Sequence, residues 1–236
     1  MGREKTFRFK QFAVLNDRTA MKVGTDGVLL GAWCPVKGAR RVLDVGTGCG
    51  VIALMVAQNN SEAVITGIDI DEGAIEEASL NFANSPWSER LTATMADFND
   101  LADSDGYDLI VSNPPYFTDS LLPTGAARTL ARHNRSLTYR QLIEGAARLL
   151  TRDGILSLIS PTDVEGDIIE AATFSNLPVR RITRVIPVEG ATPKRTLWLL
   201  SCRDIPYSEG TLTIAHPDGS FTQEYVDLTK EFYLKM

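Results

Sequence analysis

The stretch Arg41-Val-Leu-Asp-Val-Gly-Thr-Gly-Cys-Gly50, followed at once by Val51-Ile-Ala-Leu-Met-Val-Ala57, decides the fold. A short apolar run stopped by glycines reads as a strand and its turn. The seven apolar residues behind it, with no polar face, read as a buried helix. Working outward, Val64-Ile-Thr-Gly-Ile-Asp69 reads as a second strand, residues 72 to 84 as a helix started by Asp71, Leu91-Thr-Ala-Thr-Met95 as a third strand and Tyr107-Asp-Leu-Ile-Val-Ser112 as a fourth. Beyond an irregular stretch from 113 to about 136, residues 137 to 150 read as helix, Gly154-Ile-Leu-Ser-Leu-Ile-Ser160 as strand and 164 to 174 as helix. Extended runs at 179 to 188 and 195 to 202 follow so closely that they predict an antiparallel pair. Residues 204 to 236 read as a hairpin and a helix, with Ser220 and Gln223 in capping-box register. Alternating strands and helices predict an α/β, doubly wound, Rossmann-like sheet of seven mostly parallel strands with one antiparallel strand. We read residues 1–236 as a single domain, with 1–40 as an N-terminal extension.

Composition narrows the class. The 236 residues are 44% hydrophobic and 23% charged, with 24 Lys and Arg against 30 Asp and Glu for a net charge of −6. These values exclude disorder, collagen and coiled coil. No run of about 18 apolar residues spans a bilayer, and the first residues lack the apolar core of a secretory signal, so a cytoplasmic location is expected. Cys34, Cys49 and Cys202 stand apart with no CxxC, and only His133 and His216 could join them. The expectation is three reduced thiols, in a core or near a site, and no metal. Although the chain is acidic, residues 1–10, 124–148 and 180–195 are locally cationic, so a basic surface is compatible with the total.

In a doubly wound sheet the first βα turn is the place to look for a ligand. Gly46, Gly48 and Gly50 let the backbone approach it closely. The third glycine, however, comes one residue too early for the GxGxxG of dinucleotide sites, and Asp44 would repel a phosphate. An amino-acid ammonium would instead be attracted by that carboxylate. Asp69, about twenty residues on at the end of the second strand, can accept from both hydroxyls of a ribose. Asp97 can receive an adenine amino group with Phe98 flanking the ring, and Asp71 reads as a helix cap.

At the end of the fourth strand stands Asn113-Pro-Pro-Tyr116. An exocyclic amine conjugated into a ring is a poor nucleophile, and acceptors on its two N–H groups draw it toward tetrahedral geometry. The Asn113 side-chain oxygen and the Pro114 carbonyl can be those acceptors, with rigid prolines fixing the carbonyl's direction. Tyr116 then faces the base, with Pro115 and Phe117 completing the platform; stacking a base on an aromatic ring is worth about 1–3 kcal/mol.

The glycine pattern resembles that of S-adenosylmethionine-dependent methyltransferases, and the tetrapeptide resembles that of enzymes methylating planar nitrogens. Together with Phe7-Arg-Phe-Lys-Gln-Phe12, the 17–27 stretch, Leu30-Gly-Ala-Trp33, Ser85-Pro-Trp87, the Arg128 to His133 stretch and the tail from Glu224, nearly the whole chain resembles the bacterial valine-tRNA adenine N6-methyltransferases. The resemblance implies S-adenosylmethionine as cofactor, the anticodon stem-loop of a tRNA as partner and the adenine at tRNA position 37 as target. It also implies that Gly24 to Gly27, including Thr25, cover the cofactor. Asp69 stands where relatives often carry Glu. Clustering of Arg3, Lys5, Arg8, Lys10, Arg128 and Arg132 predicts a cationic path for the stem. No obligatory protein partner is expected.

Other readings stand beside this one. Protein-glutamine N5-methyltransferases use the same tetrapeptide but usually add an N-terminal helical domain, for which residues 1–40 are too few. A small DNA adenine methyltransferase would need a target-recognition domain. A non-catalytic nucleotide- or RNA-binding module would not need the tetrapeptide. A nicotinamide oxidoreductase is disfavoured by Asp44 and the early third glycine.

Overall fold

The computed structural model describes residues 6–19, 22–114 and 137–235. Its centre is β3 (Arg41–Val45), with four of its five residues buried. It runs straight into α2 (Val51–Asn59), in which Val51 through Ala57 are all buried. Such a strand and helix have no polar face because each is covered on both sides. β4 (Val64–Asp69), α3 (Glu72–Ala83) and β5 (Leu91–Met95) continue the alternation. The Asp71 side chain caps α3 by accepting from the Ala74 N–H at 2.8 Å, as the sequence predicts.

β6 (Tyr107–Ser112) returns to the other side of β3. After it come α4 (Tyr139–Leu149), β7 (Leu150–Pro161), α5 (Glu165–Phe174), β8 (Val179–Val188), β9 (Arg195–Leu200), β10 (Ser208–Ala215) and α6 (Gln223–Thr229). The sheet order is β10-β8-β9-β7-β6-β3-β4-β5. β9 pairs antiparallel with both β7 and β8, and the other pairings are parallel. One antiparallel strand is therefore as predicted, whereas among the described residues this sheet has eight strands and not seven. The extra strand is β10, which the sequence assigns to a C-terminal hairpin. It lies parallel to β8, and in place of a second hairpin strand the chain beyond returns to it through the Ala215–Phe221 bridge and the Thr222 N–H, which donates to the Ile214 carbonyl at 3.0 Å. Thr222, not Ser220, caps α6, accepting from the Tyr225 N–H at 3.2 Å while Ser220 turns to Asp218.

Helices cover both faces. α1 (Thr25–Trp33), α2 and α3 contribute to one buried cluster, α4 and α5 to the other. α1 approaches α2 closely because Gly31 has no side chain; a Cβ there would lie 2.7 Å from Met55 Sδ. Cys34 and Cys49 are buried, and Cys202 is exposed. Among the described residues no helix is long and apolar enough to cross a membrane.

Ahead of α1, β1 (Thr6–Arg8) and β2 (Ala13–Leu15) form a separate antiparallel pair. Phe9 bridges to Tyr233, the Lys10 N–H donates to the Phe232 carbonyl at 2.8 Å, and Gln58 near the end of α2 donates to the Glu231 carbonyl at 3.0 Å. Residues 9–12 therefore lie toward the end of α2 remote from the glycine turn. From there the chain climbs along α3 to reach α1.

Candidate active site

The strand order places the topological switch point between β3 and β6, where successive connections leave in opposite directions. Their register pairs Val45 with Ser112, and the Ser112 hydroxyl donates to the Val45 carbonyl at 2.8 Å. The glycine turn and Asn113 thus leave neighbouring strands at the same height.

The turn is held from beneath. Gly46 and Thr47 both donate their N–H to the Ile68 carbonyl at 2.9 Å, and Gly48 donates to Asp69 Oδ2 at 3.0 Å. Gly46 and Gly48 adopt φ of 69° and 55°, and a Cβ on either would meet nothing within 4 Å, so the upper face of the turn is open backbone. Gly50, with φ of 81°, closes on the protein instead: a Cβ there would lie 2.4 Å from the Phe82 ring.

Asp44 lies beneath this opening at 1% exposure. Its Oδ2 accepts from the Thr47 hydroxyl at 2.7 Å and the Ala53 N–H at 3.2 Å, while Oδ1, also buried, has no partner. Burial pushes its carboxyl up to about 7, against the pull of those two donors and with the help of the Asp69 charge. A buried acceptor without a donor leaves free energy to be recovered by a cationic N–H group.

Asp69 accepts from Gly48 on one oxygen and from the Asp71 N–H on the other, at 3.0 Å each, with lone pairs to spare on both. Asp97 is exposed and caps the short turn Phe98–Asp100, accepting from the Asn99 N–H at 2.9 Å. Phe98 departs from expectation. At 3% exposure it packs into the core on the α4 side, where a Cβ on Gly145 would come 2.4 Å from its ring, so it fills a slot in α4 and does not stand free beside Asp97.

Asn113 is half-buried and Pro114 buried. α1 begins beside them: a Cβ on Gly27 would sit 3.9 Å from Asn113 Nδ2 and 3.5 Å from Val51 of α2. Thr25, the first residue of α1, is exposed, and Asp26 pairs with Arg195 at 2.8 Å. Pro115, Tyr116, Phe117, Arg128 and Arg132 lie outside the described residues, as do Arg3 and Lys5. Lys10 is not brought to this site. Its ammonium donates to the Lys230 carbonyl near the remote end of α2, because the N-terminal pair is anchored there and not beside the turn.

Two polar residues that pattern reading passed over adjoin the site. Glu77 and Asn81 of α3 are each 2% exposed, in helical register with buried Ala74, Ala78 and Phe82. A carboxylate and a carboxamide on an apolar stripe are the signal that could have found them.

Comparisons with known proteins agree with this architecture. Residues 21–183 match the methyltransferase small domain family. Over 98% of both chains, the sequence is 45% identical to the tRNA1(Val) (adenine(37)-N6)-methyltransferase of Bacteroides thetaiotaomicron. Over the full length of both it is 44% identical to the protein of that name from Aeromonas salmonicida. Among solved structures, a predicted O-methyltransferase from Agrobacterium tumefaciens superposes with a TM-score of 0.69 at 21% identity, covering 88% of this chain and 96% of the other.

Proposed function

The chain belongs to the methyltransferase small domain family, and from that premise we propose that it transfers a methyl group from S-adenosylmethionine to N6 of adenine 37 in a valine tRNA. The observation that carries the reading is the Val45–Ser112 register, which sets the open glycine turn and Asn113 side by side at the switch point.

The residues present fit the donor. The partnerless Oδ1 of buried Asp44 matches an α-ammonium, open backbone at Gly46 and Gly48 leaves room above the turn, and Asp69 retains acceptor capacity for ribose hydroxyls. Asp97, two residues beyond β5, would receive an adenine amino group, and residues 24–27 would cover the site from α1. When bound, S-adenosylmethionine supplies an electrophilic methyl on a sulfonium.

Asn113 and Pro114 act on the other reactant. Their oxygens accept the two N–H groups of the target amine, localising its lone pair and orienting it for in-line attack. Such positioning can supply up to about 7–11 kcal/mol of rate enhancement, so a strong base is not required. Tyr116, with Pro115 and Phe117, supports the base. A loop adenine is already unpaired, which spares much of the unpairing cost met in a duplex. Arg128 and Arg132 supply cationic contacts to the anticodon stem-loop.

The test is incubation with methyl-labelled S-adenosylmethionine and tRNA. Label recovered as N6-methyladenosine at position 37 of valine tRNA supports the proposal. Label in protein glutamine, or none in RNA, refutes it.

A further inference from the structure

α3 presents two buried polar side chains one turn apart to the segment that leads into α1. Asn81 accepts the Leu15 N–H on Oδ1 at 2.7 Å, and its Nδ2 donates to the Leu15 carbonyl at 3.0 Å and to the Cys49 carbonyl at 2.8 Å. It therefore joins β2 directly to the glycine turn. Glu77 accepts three successive backbone N–H groups, from Asp17 at 2.6 Å, Arg18 at 2.9 Å and Thr19 at 3.1 Å. On the acceptor side of the same turn, the Lys22 ammonium donates to the carbonyls of Asp17 at 2.9 Å and Thr19 at 3.0 Å. One turn of backbone is thus held by an anion on its N–H groups and by a cation on its carbonyls.

Adhesion alone does not call for this arrangement. A buried carboxylate pays a desolvation cost that an apolar side chain of similar size avoids. What it supplies instead is direction, since three converging N–H groups fix the orientation of the turn in a way apolar packing does not. Burial would raise the Glu77 carboxyl, and the donors from Arg18, Asp17 and Thr19 outweigh it and hold it low. The clasped turn stands next to Lys22, from which the chain enters α1 and reaches Gly27 beside Asn113.

We propose that Glu77 is a positioning residue for the methyl donor, acting through the turn at residues 17–19 to set the start of α1 against the glycine turn. This rests on the reading of that turn as the donor site. Glu77 touches neither reactant, so its loss weakens donor binding and leaves the transfer step intact.

The experiment compares the parent protein with Glu77→Gln and Lys22→Met by calorimetric titration with S-adenosylmethionine and by steady-state methylation of tRNA, each at a temperature where thermal melting without donor shows the variant folded. The expected result for Glu77→Gln is a donor Kd about tenfold higher, with kcat at saturating donor within about twofold of the parent. Lys22→Met, altering an exposed ammonium, moves the donor Kd the same way by less, and it decides the matter if Glu77→Gln does not fold. Donor Kd within twofold of the parent in the folded variants overturns the positioning role, as does a fall in kcat equal to the fall in kcat/KM. A parent protein that takes up no donor overturns the donor site itself, and positioning with it.

Discussion

Arg195, the first residue of β9, donates from Nε to Oδ2 of Asp26 in the first turn of α1 at 2.8 Å. The pair fastens the helix whose Gly27 borders Asn113 to the one antiparallel strand of the sheet. Asp26→Asn keeps the shape and removes the charge. Because the Arg195 side chain is 32% exposed, solvent screens the pair and the expected loss of stability is only about 1 kcal/mol, read from urea unfolding. Turnover on tRNA should fall by more than that stability change explains, and an unchanged kcat would detach the pair from the site.

Asp44 predicts a pH dependence. Its folded pKa of about 7 lies above the ordinary 3.8, so the free protein takes up a proton as pH falls between those values and gains stability over that window, losing it again as pH rises toward 7. An ammonium partner favours the carboxylate, so donor affinity should climb with pH by up to about tenfold per unit below pH 7, and turn down above about pH 8 as the donor's own α-ammonium loses its proton. Calorimetric titration across about pH 5.5–8.5 measures it. Asp44→Asn should bind weakly and lose the rise below pH 7.

In the proposed mechanism, Asn113→Ala removes an acceptor whose hydrogen bond strengthens as the amine becomes tetrahedral. A fall in kcat on the order of 100-fold, with donor Kd unchanged, is expected. Equal loss of donor affinity would return Asn113 to a structural role.

Gly50→Ala tests the packing beneath the turn. With φ of 81° and the Phe82 ring 2.4 Å from a new Cβ, the substitution combines backbone strain with overpacking. We expect a loss of about 2–4 kcal/mol in chemical denaturation. Gly48→Ala, whose Cβ meets no atom within 4 Å, should cost less stability and more donor affinity.

Much of the fold and the place of the glycine turn within it are legible in the residues alone. The apolar run of β3, the fully apolar α2 and the glycines between them admit one reading, and Asp71 announces its helix cap by type and position. What escapes depends on contacts between distant residues. β10 exposes its first four residues at the sheet edge and so lacks the pattern of a paired strand. Phe98 beside a loop acid resembles a ring platform until Gly145, 47 residues away by the numbering, leaves a slot for it in α4. Lys10 joins the cationic residues on paper, yet the path of its segment is set by Tyr233 and Phe232, which nothing local reveals.

That last union bears on how the molecule is made. Phe9, 3% exposed, stacks on Phe12 at 4.5 Å and on Tyr233 at 6.1 Å, so an aromatic cluster begun among the earliest residues is completed by some of the latest. During vectorial synthesis these rings emerge from the ribosome long before their cover, and must wait in water while the sheet assembles. Loss of Tyr233 would prolong that vulnerable interval indefinitely, leaving a sticky flank that invites aggregation even where the methyl-transfer pocket is untouched.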